Sequence, residues 1–579
     1  MDEHLEALEH GSETSSSTGQ SEIDYQGLSN VLTTRAPKPQ FRLGYWLAQN
    51  EQHVWQLVKS DDPDGSDQAV PRSGGVLNYL QYVYKKPAFR SNTVHLSTVV
   101  YGIAFIVFGN TAGNSIAFAQ RVMEAANRPA TTGAVRGLAI AVATFACCIH
   151  AFSRRGGIWL SNALAAIKIM MMLLIIITGI CAFAGVFGQP TSASDNLAPS
   201  KSFDNAAADP YGHVEAFLAV IFAYSGFDQP TYKVLSEIRQ PRKTFPWATS
   251  IAVGVVCTLY IAVNLVYMTV VPREAQINAQ GKDVALYFFD TTLGTLSPDT
   301  KIAFGNIVVM TFTASRVKQE LAKEGILPFP KFFGESKDLS FGRLLEWLDK
   351  KESVARALHK PLNWTWLRPD QHSQETPVGA LVLHWVFCVV LILATYGQSS
   401  SDAYGTLVGV FVFVIDAIFG FLLAVGMLYL RFFKSEIWST QPDGFVGLLS
   451  ILAAAVFAIA NLFPLVAGWI PPRGAFAPTT VVRTPWFTVP TIGVSTMAFG
   501  VLYWISFYVL VKRKEKREHA VFVVKKVPHF TTEPPGDLHG YPILTHETVS
   551  INWPGQENAQ HDDHDIEMGS VLRNRAGTR

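Results

Sequence analysis

The sequence predicts an all-α polytopic membrane protein, and three observations carry that prediction. Only 16% of the 579 residues are Asp, Glu, Lys or Arg, where soluble domains have roughly 25%. The set AVILMFWYC makes up 49% of the chain, and mean hydropathy is +0.20. The polar residues are also segregated. Residues 1–70 hold twelve acids and four bases with no long apolar run, and residues 512–579 are again charged. Between them lie apolar blocks long enough to cross a bilayer. The 47 basic and 46 acidic residues leave a net charge of +1, so no overall basic field invites nucleic acid. The composition disfavours a soluble multidomain enzyme and excludes a disordered or fibrous chain.

About 20 apolar residues cross a hydrocarbon layer of ~30 Å. Blocks 94–120, 137–152, 158–187, 213–232, 247–271, 377–396, 403–430, 445–470 and 490–511 qualify. A tenth, Ile302 to Thr313, is about 18 Å long as a helix and is expected to be a damaged or partly re-entrant span. The resulting division is a polar N-terminal segment 1–70, a first bundle 71–314, a cytosolic loop 315–376, a second bundle 377–511 and a disordered cytosolic tail 512–579. If the tenth block crosses, seventeen Lys and Arg fall on one side, leaving out the 315–376 loop, and nine on the other. The richer side, with both termini, is then cytosolic. The first residues carry no apolar core, so no cleaved signal peptide is expected. All five cysteines lie in apolar blocks, which argues against a disulfide framework or a zinc site.

Three features depart from plain lipid-facing helix. Phe222, Ala223, Tyr224, Ser225, Gly226, Phe227, Asp228, Gln229 and Pro230 interrupt an apolar span with residues that weaken the helical ladder. Two readings stand there: a broken helix whose free N–H groups receive a substrate carboxylate, or a proline kink without ligand. Lys168 sits about 15 Å into its span, where a charge is expected to face the bundle interior or a watery cavity, with snorkelling as the other reading. Asp416, in Phe411 to Phe419, serves equally well as helix-to-helix glue or as a proton relay. His384 and Asn264 read as packing residues. No Walker loop, His-Glu-x-x-His or Gly-x-Ser-x-Gly is present, so no catalytic residue, metal site or cofactor is expected.

Four separated motifs are recognisable. They are Val70-Pro71-Arg72-Ser73-Gly74-Gly75-Val76-Leu77-Asn78-Tyr79-Leu80; Phe222 to Asp228 followed by Ser236-Glu237-Ile238 and Pro241-Arg242; Gly305-Asn306 through Thr311 to Arg316; and Ala322 to Pro328. Over residues 70–511 the chain resembles the amino acid–polyamine–organocation (APC) superfamily, and within it the fungal L-type permeases that include the methionine-permease group. That resemblance implies twelve spans in a five-plus-five inverted repeat, with an amino acid held at broken spans one and six. It makes Phe222 an aromatic gate and Ala223 to Phe227 unwound backbone facing the substrate. It brings Gly305 and Asn306 of the eighth span to the site, and Asn114 of the third span as a weaker contact. Lys168 becomes the fifth-span lysine that stands where sodium-coupled relatives bind sodium.

The sequence departs from the family where the first two spans should lie. Pro39 to Trp46 resembles the lead-in to span one, but a polar stretch, Leu47 to Gln68, follows, and then the loop after span two. The eighth span is also short before Gly305. Both gaps read as splicing or gene-model errors, leaving about ten spans of twelve and half of the substrate site, so that transport by the chain as written is not expected. The function expected of the family architecture is secondary transport of a neutral L-amino acid, methionine included, driven by protons or by exchange. The alternatives are a non-transporting sensor on a permease fold and an inactive truncated permease. The plasma membrane is the expected location, with the vacuolar membrane as the alternative. The loop Glu124 to Gly133 holds no cysteine, so no disulfide-linked heavy chain is expected.

Overall fold

The computed structural model describes residues 75–90, 93–187, 192–200, 210–226, 229, 241–277, 284–293, 307–344, 375–433, 445–472, 484–531 and 543–555. Each of the ten apolar blocks contains a helix among them. A short helix α1 (Val76–Val83) and a small hairpin, β1 (Ala88–Arg90) with β2 (Thr93–His95), precede the bundle. The bundle begins with α2 (Leu96–Phe108) and α3 (Ala112–Ala125), two halves of one span. Then come α4 (Thr132–Phe152), α5 (Arg154–Phe183), α6 (Pro210–Tyr224), α7 (Pro241–Val270), α8 (Val284–Leu293) and α9 (Ile307–Lys323). After a two-residue ladder of β3 (Lys337–Asp338) with β4 (Glu375–Thr376) follow α10 (Val378–Ala394) and α11 (Ser400–Phe411). A π-helical turn, Val412–Ile418, joins α11 to α12 (Phe419–Phe433); α13 (Phe445–Ala467) and α14 (Thr488–Glu518) complete the bundle. Where the sequence marks ten spans, six stretches among the described residues are long and apolar enough to cross a membrane.

Local chemistry starts several of these helices. Ser153 Oγ accepts from the Gly156 amide at 3.1 Å, and Ser399 Oγ from the Asp402 amide at 3.1 Å, with Asp402 in the first turn. Both are side-chain caps at helix N-termini, and the aspartate also complements the helix dipole. Hydropathy does not say which helices are central, because helices apolar all round suit lipid and core alike. Packing decides it. The apolar window of Leu96–Ala125 is 78% buried, against 17% for Gly156–Phe183 and 6% for Ala248–Val270. The main core gathers Tyr101 and Phe105 of α2, Val317 and Leu321 of α9, Phe413 of the π turn and Phe419. Tyr101 meets Phe419 edge to face at 5.0 Å, a favoured aromatic geometry.

Two boundaries differ from the sequence expectation. The loop expected from residue 315 begins later, because α9 continues to Lys323 with Ser315, Arg316, Lys318 and Gln319 buried. These polar side chains fit inside because backbone carbonyls need donors: Gln319 Nε2 donates to the Gly334 carbonyl at 3.0 Å, and Lys318 to Gly109. The tail expected to be disordered from 512 is also folded over much of its length. Helix α14 runs to Glu518, and β5 (Val523–Thr531) pairs antiparallel with β6 (Ile543–Asn552). Phe522, just before β5, packs edge-on against Phe89 and against Trp553. Its amide and Arg90 Nη2 both donate to Glu515 Oε1, at 3.0 and 2.9 Å. Residues 1–70 and 556–579 lie outside the described residues.

Candidate functional site

Helix α6 stops where the sequence places a break. Tyr224 is its last residue; Ser225 and Gly226 form a turn, and Gly226 has φ +104°. An L side chain rarely adopts that backbone conformation, so the glycine is required by the turn itself. The Ser225 amide donates to the Phe222 carbonyl, and the Gln229 amide to the Gly226 carbonyl, each at 3.2 Å. The Gln229 side chain reaches α9, where its Oε1 accepts from Thr313 Oγ1 at 3.3 Å.

A second break lies between α2 and α3. The Gly109 amide still closes the last turn on the Phe105 carbonyl at 2.9 Å, but the helix does not resume until Ala112. Asn110 bridges the gap with its own side chain: Nδ2 donates to the Val107 carbonyl at 2.5 Å, and Oδ1 accepts from the Ala112 amide at 2.9 Å. The Gly109 carbonyl is served from elsewhere. Lys318 of α9 donates to it at 2.9 Å and donates again, at 3.2 Å, to Nδ1 of His384 on α10. Lys318 is 0% and His384 1% exposed.

A small, partly open cleft lies between the Gly109–Thr111 break and Phe222 in the last turn of α6. Phe108, Asn110, Gly113 and Asn114, at and around the α2–α3 break, line it together with Phe222 of α6 and Met310 of α9. Leu391, Leu407, Val408 and Phe411 close the apolar side. Phe222 meets Tyr404 edge to face at 6.5 Å, and Asn114 Nδ2 donates to Met310 Sδ at 3.1 Å. The lining is thus mostly apolar, with the amide side chains of Asn110 and Asn114 as its polar groups.

The structure brings together some of the sequence candidates and leaves others apart. Phe222 and Asn114 line one cleft. Ala223 and Tyr224 are exposed, Tyr224 leaning on Tyr260 at 5.3 Å; Ser225 and Gly226 are half-buried. Phe227, Gly305 and Asn306 lie outside the described residues. Lys168 is half-buried on α5 between the exposed Ile167 and Ile169, and does not line the cleft. Asp416 is half-buried inside the π turn, a helix irregularity frequent at functional sites, and also lies off the cleft lining.

Sequence reasoning missed Gly109, Asn110, Lys318 and the true partner of His384. A signal for the break was present in Gly109-Asn110-Thr111-Ala112-Gly113-Asn114, where glycine and asparagine cluster inside an apolar block. No local signal pairs Lys318 with Gly109, which lie 209 residues apart.

A membrane-type helix bundle in which broken helices flank a small, largely apolar cleft has the architecture of a secondary transporter. The chain belongs to the amino acid permease family, whose pattern matches residues 66–496. It is 26% identical over 454 residues to the high-affinity methionine permease of Saccharomyces cerevisiae, covering 77% of this chain and 69% of the yeast protein. It is 25% identical over 408 residues to the low-affinity methionine permease of the same yeast, covering 68% and 65%. The Asc-type amino acid transporter 1 of Mus musculus is 28% identical over 267 residues, covering 45% and 48%. The chain therefore spans about two thirds of each yeast permease and about half of the mouse transporter. The family consists of permeases, and the sequence expectation of a non-enzyme agrees with it.

Proposed function

We propose that this protein is a secondary carrier that moves a neutral L-amino acid, methionine first among candidates, across a membrane by alternating access. The observation that carries the reading is the cleft between the Gly109–Thr111 break and Phe222 at the end of α6. Gly113 and Asn114, in the first turn of α3, sit in its wall. A helix N-terminus there supplies N–H groups and a positive dipole for the substrate carboxylate. Met310, Leu391 and Phe411 supply an apolar seat for the side chain. Both methionine permeases and an Asc-type transporter among the relatives support this substrate class.

The finer parts of the reading follow from the family. The helices are arranged as a five-plus-five repeat. Ala223 to Phe227, with Gly305 and Asn306, complete the substrate site, and Lys168 and Asp416 serve coupling to protons. Both termini are cytosolic, and the membrane is the plasma membrane. Binding without flux is the second reading.

The test is the purified full chain, assayed for binding of radiolabelled L-methionine and, in proteoliposomes, for its uptake. Saturable binding with saturable uptake establishes the carrier. Binding alone establishes the second reading, and absence of binding for methionine and other neutral amino acids overturns both.

A further inference from the structure

The α2–α3 break needs something to hold it. Residues 109–111 leave the helical ladder inside a densely packed part of the bundle, where an unsatisfied backbone group costs several kcal/mol. Asn110 serves one carbonyl and one amide, those of Val107 and Ala112. The Gly109 carbonyl is held instead by the ammonium of Lys318 on another helix. Among the described residues no carboxylate reaches that ammonium. Its two partners are the Gly109 carbonyl and Nδ1 of His384. The hydrogen bond between Lys318 Nζ and His384 Nδ1 fixes where Lys318 points. A fully buried lysine without a carboxylate beside it is expensive to keep charged and marks a functional place more often than a packing one.

We propose that Lys318 is a positioning residue for the amino-acid cleft, holding the Gly109 carbonyl so that Phe108 and Asn110 face the substrate, and that His384 positions Lys318. The geometry is short and continuous. Gly109 lies between two cleft-lining residues, Phe108 and Asn110, and Met310, two turns before Lys318 on α9, lines the same cleft. Substrate contact is thereby tied to the relative placement of α2, α9 and α10. The proposal rests on the amino-acid-carrier reading and goes beyond it, because neither Lys318 nor His384 touches the cleft.

The test compares K318M, H384L and H384Q with the unaltered full chain, measuring radiolabelled L-methionine binding and the thermal unfolding midpoint in detergent. Methionine keeps the length of the lysine stem without the donor; glutamine at 384 keeps an acceptor that leucine lacks. K318M should weaken methionine binding by about tenfold or more, the scale of one lost hydrogen bond to a charged group. H384L should weaken it by about fivefold, with H384Q recovering most of the loss, whereas simple core packing would favour leucine over glutamine. A K318M protein that folds and binds within about twofold of the unaltered chain overturns the proposal. Equal binding by H384L and H384Q overturns it also, and that pair decides the matter if K318M does not fold. Failure of the unaltered chain to bind any neutral amino acid is the distinct result that removes the carrier reading.

Discussion

The bundle breaks at Gly109–Thr111, between α2 and α3, and at Ser225–Gly226, after α6, and the two breaks are sustained differently. At the break after α6 the backbone makes its own turn: Gly226 takes φ +104°, and amides three residues on return to the Phe222 and Gly226 carbonyls. At the α2–α3 break Gly109 and Thr111 have negative φ, and the Val107 carbonyl, the Gly109 carbonyl and the Ala112 amide go to side chains. One of those side chains, Lys318, comes from a helix 209 residues away. A break of the first kind depends on which residue stands there. A break of the second kind depends on where other helices pack, and it fails if any partner is removed.

The largest effect is expected away from both breaks. If the breaks define binding and Lys168 serves coupling, Lys168→Ala should reduce proteoliposome uptake to background and leave methionine binding within about threefold, a change of less than 1 kcal/mol. Loss of binding together with uptake would show that the cleft is not bounded by the two breaks alone.

Next comes Gly226→Leu. A leucine forced to φ +104° carries about 1–3 kcal/mol of backbone strain, so methionine binding should weaken by about tenfold to hundredfold. Equilibrium binding on folded protein checks it, and unchanged affinity would return this segment to an ordinary kink. Asn110→Ala removes both of that residue's side-chain bonds across the α2–α3 break. At about 1 kcal/mol net per bond, binding should weaken by about tenfold and the unfolding midpoint should fall, since here the loss strands buried backbone groups. If only binding changed, the asparagine would be a substrate contact rather than a strut.

The smallest effect is expected at Gly113, which has room for a methyl group. A Cβ there would meet Val408 Cγ2 at 3.4 Å and Leu407 Cβ at 3.5 Å, ordinary contacts. Gly113→Ala should alter methionine binding by about twofold and exclude bulkier side chains such as tryptophan more strongly, because it narrows the cleft without straining the helix. Competition by a series of neutral amino acids reads this out.

Composition and the long apolar blocks determined the class of the protein, since the cost of an unpaired backbone in hydrocarbon leaves spanning helices as the available solution. They also placed the ten helical segments, because each block contains a helix. The break after Tyr224 was legible for the same kind of reason: Ser225, Gly226 and a following proline act on their own backbone, and no distant residue is needed. What only the tertiary structure decided is who stands beside whom. Hydropathy rates Gly156–Phe183 above Leu96–Ala125, yet the second is central and the first peripheral. Likewise the polar run after Ala314 reads as the start of a loop but continues α9, because its side chains serve carbonyls of other segments at Gly109 and Gly334. A residue constrains its own φ and ψ through sterics that sequence alone records, whereas a hydrogen bond from Lys318 to Gly109 exists only once α2 and α9 have packed against each other.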